Sequence, residues 1–460
     1  MELTTISRYQ PQPGEIWEWP ITTTGTPTRS PIAPSFNQQF HLAGATADPD
    51  GRSVWLAAAF TVTHALDRAA LATALTAFLQ RHPTLRSEFR AQDGTVTRHI
   101  HASTTITGPQ RLPHDATTPR QMQQLLARLL GEHCRPTRYP AMRFLAIDHG
   151  STATIIAAFD HVHADAYSIA LAIHELSRDY LAAHHGTPLA PGDAGDFVAD
   201  TAHETAMPPT PREDWRIQRW LHYLRSSGGT APSFPLPLGI GEPGTLHPQA
   251  DDSRQLLDAH QAHHFEKWVR THGGSMFSGL ATSLGMATKA CGGPLRQDIL
   301  MPVHTRHRPL SDRTFGWYTN TVALTINVPS ASFATNLAAN HAAFRSALEL
   351  APVPLAHVLT ALADEFQRTR QDVYMLSYID YRALPGIAPG HDGATCTDPV
   401  HISNSTVADD AQFWLWRDER GIFLRSRYPR TDASGHVMNA LWSEWREALR
   451  APATPQPARE

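Results

Sequence analysis

The sequence predicts an α/β protein of two lobes, each mixing helices and strands, and three observations carry that expectation. A chain of 460 residues exceeds what one hydrophobic core usually serves. Short apolar runs of strand character and amphipathic helical stripes occur in both halves. The cluster Gly186-Thr187-Pro188-Leu189-Ala190-Pro191-Gly192 is the best boundary, giving an N-terminal lobe over 1–186 and a C-terminal lobe over 187–460.

Residues 1–34, rich in Pro, Thr and Trp with little periodicity apart from Ile16-Trp17-Glu18-Trp19, read as an arm lying across the surface. Residues 54–62 read as a strand. The helix after it carries Leu71, Ala74, Leu75, Phe78 and Leu79 on one face, with Asp67 to cap its start and Pro83 to end it. Arg81 to Phe89 turns from a helix end into a strand. A helix over 120–130 and a strand over 142–147 follow. The apolar, partly β-branched run 154–159 reads as a buried strand, and Ile169, Ala172, Ile173, Leu176 and Tyr180 recur at helical spacing, with Asp165 or Ser168 as cap. Beyond the boundary, one helix is convincing around 215–224. Helices near 265–271 and 277–287 and strands over 299–303 and 321–328 come next. Residues 413–417 and 422–427 flank a turn at Arg420-Gly421, a hairpin signal. Met438, Leu441, Trp442, Trp445 and Leu449 mark a closing helix, and the tail after Ala451 reads as frayed.

The central strand and helix are joined by Asp160-His161-Val162-His163-Ala164-Asp165-Ala166-Tyr167-Ser168. A strand end feeding a helix start is a rigid place to hold a side chain, and the unpaired N–H groups of a helix start favour negative charge. Three readings of His161 and Asp165 fit. They could be local capping and packing groups, since 27 histidines produce His-x-x-x-Asp pairs by chance. His161, His163 and Asp165 could bind a metal such as zinc, although no downstream cluster supplies the further ligands such a site needs. Or His161 could be a general base at the junction of the lobes, with Asp165 holding the loop in shape.

Composition narrows the class. The formal net charge is −4 and basic residues are scattered, so nothing points to nucleic acid. No apolar run approaches the ~18 residues needed to span a bilayer, and Met1-Glu2-Leu3-Thr4-Thr5 lacks the character of a secretory signal. A cytoplasmic protein is expected. Cys134, Cys291 and Cys396 are odd in number and widely spaced, so they read as small hydrophobes rather than a disulfide framework.

Several stretches together resemble the condensation-domain superfamily, and most closely the actinobacterial polyketide-associated acyltransferases, relatives of chloramphenicol acetyltransferase and of peptide-synthetase condensation domains. Arg81-His82-Pro83-Thr84-Leu85-Arg86 is similar to the Arg-His-x-x-Leu-Arg motif of that family. Asp160 to Ala166 resembles its His-His-x-x-x-Asp-Gly motif, with His161 in the catalytic place, Asp160 in place of the first histidine and Ala166 in place of the glycine. Thr305-Arg306 and Phe315-Gly316-Trp317-Tyr318-Thr319-Asn320-Thr321 resemble a second-lobe segment. Pro11-Gln12-Pro13-Gly14, Pro34-Ser35-Phe36 and Ser377-Tyr378-Ile379-Asp380 also look like acyltransferase positions.

The resemblance implies two chloramphenicol-acetyltransferase-like lobes in a V-shaped pseudo-dimer, with His161 along a tunnel between them. It implies His161 and Asp165 as catalytic residues, and Asp160 and Arg306 as structural ones, with Arg306 pairing Asp165 from the second lobe. Tyr167, Ser168, Trp317 and Asn320 would line the tunnel or bind substrate, Asn320 alternatively satisfying backbone groups near a strand. The implied reaction moves an acyl group from a thioester, of coenzyme A or of a carrier-protein phosphopantetheine, to a hydroxyl of a sugar, polyol or natural-product acceptor. No metal or other bound cofactor is required. Partners would be the small-molecule acceptor and, where the donor is carrier-bound, an acyl carrier protein, with the chain a monomer. The alternatives are an amide-forming peptide condensation enzyme and a catalytically silent member that docks a carrier protein.

Overall fold

The apolar run that leads into the His161 motif forms a strand, Ala153–Asp160, buried at every position. The reason is that it has strands on both edges and side chains packed on both faces. Met142–Asp148 pairs antiparallel on one side, with Phe144 opposite Ala157. Trp55–Val62 pairs antiparallel on the other, with Leu56 opposite Phe159. Successive strand side chains point to opposite faces. On one face Trp55, Ala57, Leu145 and Ile156 meet Met122, Leu126 and Leu130 of the helix Pro119–His133. On the other, Phe159 meets Phe144 and Phe78, ring centroids 5.9 and 6.0 Å apart, Phe78 lying on the helix Arg68–Arg81. A strand buried on both faces needs apolar side chains throughout, hence a continuous run in place of alternation.

The structure is a computed structural model and describes residues 1–47, 54–92, 95–190, 192–362, 365–384 and 396–453. Residue 191 of the Gly/Pro boundary and the end of the tail, from 454, lie outside these. The chain forms two compact units. Unit 1 comprises 1–207, 306–319 and 381–406; unit 2 comprises 208–305, 320–380 and 407–460. A single cut at 186/187 differs from this division in one respect that matters for the site: Arg306 and Gly316-Trp317-Tyr318 belong to unit 1.

Unit 1 is built on a seven-stranded sheet in the order Glu2–Thr5, Cys396–Ser403, Trp55–Val62, Ala153–Asp160, Met142–Asp148, Glu15–Glu18, Gln110–Leu112. The N-terminal stretch expected to be a surface arm is therefore part of the sheet. Leu3, Ile6, Ile16 and Trp19 are all buried. Its strands are four residues long, too short for a period of two to declare itself between prolines. The helix Ala166–His184 starts at Asp165, whose carboxylate accepts from Ser168 N at 2.8 Å. Two further helices, Phe36–Ala47 and Phe197–Thr205, were not anticipated from the sequence.

Unit 2 has its own seven-stranded sheet, in the order Thr319–Asn327, Arg296–His304, Met375–Asp380, Gln412–Asp418, Gly421–Pro429, His247–Asp258, Val407–Ala408. The expected hairpin is there, Gln412–Asp418 pairing antiparallel with Gly421–Pro429. The polar strand His247–Asp258 has no apolar signature and is held by its ladder to Gly421–Pro429. The helices Ala259–Thr271, Met276–Ala290 and Asp432–Ala453 supply Phe265, Leu280, Leu284, Leu441 and Trp445 to the core of this unit. The first of these starts earlier than its apolar stripe suggests, because Asp258 and Gln261 form a capping box.

Candidate active site

Asp160 ends the buried strand and Asp165 caps the next helix, so the four residues between them cross from one rigid element to another. Hydrogen bonds fix this crossing almost residue by residue. His161 N donates to Val54 O at 2.9 Å, Val162 N to Asp160 Oδ1 at 2.8 Å and His163 N to Asp160 O at 3.0 Å. His161 is half-buried. Its Nδ1 is sealed from solvent, with the residue's own backbone as its polar neighbour, which leaves Nε2 as the nitrogen a proton can reach. The ring rests on Trp317, centroids 4.0 Å apart. Burial, with His41 nearby adding to it, lowers the imidazole from its ordinary 6.5 to about 4, so His161 is neutral at physiological pH.

Asp165 lies four residues on and does a different job. Arg306 grips it in a fork, Nη1 to Oδ2 at 2.6 Å and Nη2 to Oδ1 at 3.0 Å. Its oxygens also accept from Ser168 N and, at 3.0 Å, from Tyr318 N. Burial pushes this carboxyl up, but the Arg306 charge and hydrogen bonds outweigh it and the net shift is downward. The pair lies wholly inside unit 1, so Arg306 does not come from the other lobe as the resemblance implied.

Around Arg306 the segment that carries Trp317 is tied down. The guanidinium lies over the rings of Tyr167 and Tyr318, 4.3 and 4.6 Å from their centroids. Ser168 is fully buried; its hydroxyl donates to Gly316 O at 2.7 Å and accepts from Gly316 N at 3.0 Å and Arg306 Nη2 at 3.1 Å. Tyr167 donates its hydroxyl to Asp312 O at 2.9 Å. Of the four residues expected to line the site or bind substrate, Trp317 is therefore the one set against His161. Tyr167 and Ser168 hold that segment in place. Asn320 is in unit 2, where its amide donates to Ala351 O and Val353 O, at 2.9 and 2.7 Å, and accepts from Leu355 N at 3.2 Å. That is the backbone-satisfying role the sequence left open for it.

His163 faces the interior, fully buried and near Phe89, with burial lowering its imidazole to about 4. With Asp165 committed to Arg306, the His161-x-His163-x-Asp165 run has no metal-site geometry. Among the described residues no three His, Cys, Asp or Glu side chains converge as a metal site. Cys134 is buried behind the sheet; Cys291 and Cys396 are partly exposed. No helix among the described residues is long and apolar enough to cross a membrane.

Sequence reasoning missed two residues on the helix Phe36–Ala47. His41 Nε2 lies 2.8 Å from Asp160 Oδ1, and Gln38 Nε2 donates to Val162 O at 2.7 Å. The available signal was that Gln38 and His41, three apart, share one face of a helix opened by Pro34-Ser35-Phe36. Arg81 and His82, which carried part of the resemblance, bind Glu175 and Asp179 in a buried cluster instead of the site.

Residues 33–375 match the condensation-domain family. Curated relatives include the acyltransferase PapA3 of Mycobacterium tuberculosis, 25% identical over 77% of this chain and 74% of the relative. The trehalose-2-sulfate acyltransferase PapA2 of Mycobacterium bovis is 26% identical over 72% of each chain. The solved structure of a PapA2 acyl transferase superposes with a TM-score of 0.88 at 21% identity, covering 99% of this chain and 100% of that one. The first condensation domain of the calcium-dependent antibiotic synthetase follows at a TM-score of 0.69, 17% identity, 93% of this chain and 97% of that one. The two-lobed chloramphenicol-acetyltransferase-like fold is thus the fold of this chain.

Proposed function

The chain belongs to the condensation-domain family and is an acyltransferase; we propose that it moves an acyl group from a thioester to a hydroxyl of a sugar, with His161 as general base. One observation carries the proposal: a neutral imidazole, Nδ1 sealed and ring set on Trp317, held at a strand-to-helix junction. A base must be unprotonated at working pH, and His161 is. Relatives named as trehalose-sulfate and sulfo-trehalose acyltransferases support a disaccharide acceptor. An indole face beside the base suits the apolar face of a sugar ring.

In this mechanism the acceptor hydroxyl gives its proton to His161 Nε2 as its oxygen attacks the thioester carbonyl. The tetrahedral intermediate collapses with cleavage of the C–S bond. The thiolate leaves and takes the proton back from the imidazolium, so base and charge are restored. A positioned base supplies about 10²- to 10⁴-fold. Asp165 and Arg306 are positioning residues: they fix the helix start that His161 precedes and the segment that carries Trp317. The donor brings its own coenzyme A or phosphopantetheine, and the chain needs no resident cofactor.

The test supplies octanoyl coenzyme A with trehalose, trehalose 2-sulfate or an amino-acid amide, following thiol release and product mass. Ester formation that falls at least ~10²-fold in His161→Ala supports the proposal. Exclusive amide formation moves the protein to peptide-type condensation, and thiol release indifferent to His161 removes the base.

A further inference from the structure

The motif that holds His161 departs from the family pattern at Asp160, where a histidine is usual, and the fold places an imidazole beside that position from elsewhere. His41 reaches it from the helix Phe36–Ala47. Asp160 is fully buried, and its Oδ1 meets both His41 Nε2 and Val162 N at 2.8 Å. One helical turn earlier, the fully buried Gln38 donates to Val162 O at 2.7 Å. Gln38 Oε1 in turn accepts from Arg98 Nη2 at 2.6 Å and Ser35 N at 2.9 Å. Val162 O is thus held directly by Gln38, and Val162 N by the Asp160 carboxylate that His41 contacts from the same helix. Val162 N belongs to the peptide plane that carries the His161 carbonyl. With His161 N bonded to Val54 O, both peptides flanking the base are immobilised.

The side chains repeat the arrangement. The His41 ring is edge-on to Trp317, centroids 5.8 Å apart, and 6.3 Å from the His161 ring, which itself rests on Trp317. An Asp160 carboxylate that only needed a partner for its buried charge would not require one that also touches the residue against which the base is set.

We propose that His41 and Gln38 are positioning residues for the base: His41 acts through Asp160 and Trp317, Gln38 through Val162, and His41 supplies from the helix the imidazole absent at position 160. The inference rests on His161 being the base. Misplacing a reacting group by about 1 Å costs roughly 10²-fold, so release of either pin acts on turnover more than on substrate affinity. The charged and titratable groups facing His161 are His41 from this helix, Asp160 from the strand end and Asp165 from the next helix start. Loss of His41 leaves two carboxylates and removes the imidazole that opposes protonation, so His161 then titrates at higher pH.

The test compares His41→Ala, His41→Gln, Gln38→Ala and His161→Ala in the full chain. Two readouts are used: thiol release from octanoyl coenzyme A with trehalose, and the NMR titration of the His161 ring in 13C-histidine protein, assigned by its absence in His161→Ala. The titration needs no substrate. The expectation for His41→Ala is a kcat about 10- to 100-fold lower, a KM for octanoyl coenzyme A within about twofold of wild type, and a His161 titration displaced upward. Gln38→Ala lowers kcat without displacing the titration. His41→Gln, which restores a donor to Asp160, recovers part of kcat if it folds as the wild type does. The inference is overturned if His41→Ala and Gln38→Ala keep wild-type kcat and titration while His161→Ala is inactive, a result that leaves the proposed function standing. Wild-type turnover by His161→Ala instead removes the base and the inference with it. If thiol release is undetectable in the wild type, the titration decides: an unmoved His161 in His41→Ala overturns the inference.

Discussion

His161 and Asp165 sit four residues apart and are tuned in ways that suit different tasks. Burial keeps His161 uncharged, whereas the Arg306 fork keeps the buried Asp165 charged. The pH profile of kcat/KM reports the free enzyme's base. Measured with trehalose and an acyl thioester of a small uncharged thiol, neither of which titrates in that window, it should therefore hold level through the ordinary histidine range and fall only as pH drops through about 4. An acid limb near 6.5 would contradict the burial argument. Asp165→Ala leaves the Arg306 guanidinium buried without its carboxylate, and removing one partner of a buried pair costs about 3–5 kcal/mol. Chemical denaturation should show that loss, while His161→Ala unfolds near wild type. At this scale much was legible. His161 and Asp165 stand out through their spacing at an apolar run, and Arg306 through the segment around it. Gln38 and His41 were not, because they act across 124 and 119 residues of chain, and their shared helix face, the one local signal, does not say what that face meets.

The elements that position the site are legible to the extent that their signal is local. The helix Ala166–His184 has both its apolar stripe and its capping Asp165 in sequence, and the strand Ala153–Asp160 is apolar throughout. The short strands of the first eighteen residues and the polar strand His247–Asp258 draw their order from pairing with distant partners, Glu2–Thr5 from Cys396–Ser403 and His247–Asp258 from Gly421–Pro429. The segment bearing Trp317 is the extreme case, with no regular structure of its own at 314–318 and a fixed position through Ser168, Tyr318 N and a close approach. A Cβ on Gly316 would meet Phe197 Cγ and Cδ2 at 2.5 Å. Gly316→Ala must therefore move either the Phe197 ring or its own backbone, and with it the two bonds to Ser168. Overpacking of this kind costs about 1–3 kcal/mol. Thermal unfolding should register that cost, and the displaced Trp317 should lower kcat, whereas Gly435→Ala, with open space at its Cβ, should do neither.

For the whole molecule the two-lobed α/β organisation was legible from length and alternating elements, but the allocation of segments was not. Residues 306–319 and 381–406 return to unit 1 from the second half. That exchange is decided by long-range contacts such as Asp165 with Arg306 and Cys396–Ser403 with Trp55–Val62. The units also carry buried carboxyls of opposite behaviour. In unit 1 the Asp165 carboxyl is lowered, so its contribution is present above the unfolded value and lost as pH falls through the folded one. In unit 2 burial raises Asp410 from 3.8 to about 7, against hydrogen bonds from Phe234 N and Ala411 N. Its nearest ion-pair contact, Arg370 Nε, is 3.9 Å away. Here the folded state holds a proton that the unfolded chain releases, so stability falls as pH rises from 3.8 towards about 7. Asp410→Asn keeps an oxygen for the two backbone donors and removes the titration. The variant's gain in Tm over wild type should accordingly be small near pH 5 and larger near pH 8, at about 2–4 °C for each kcal/mol in a unit of this size. A gain that is flat across that range, measured by calorimetry of the full chain, would show that Asp410 stays ionised in the folded protein and that Arg370 compensates it despite the distance.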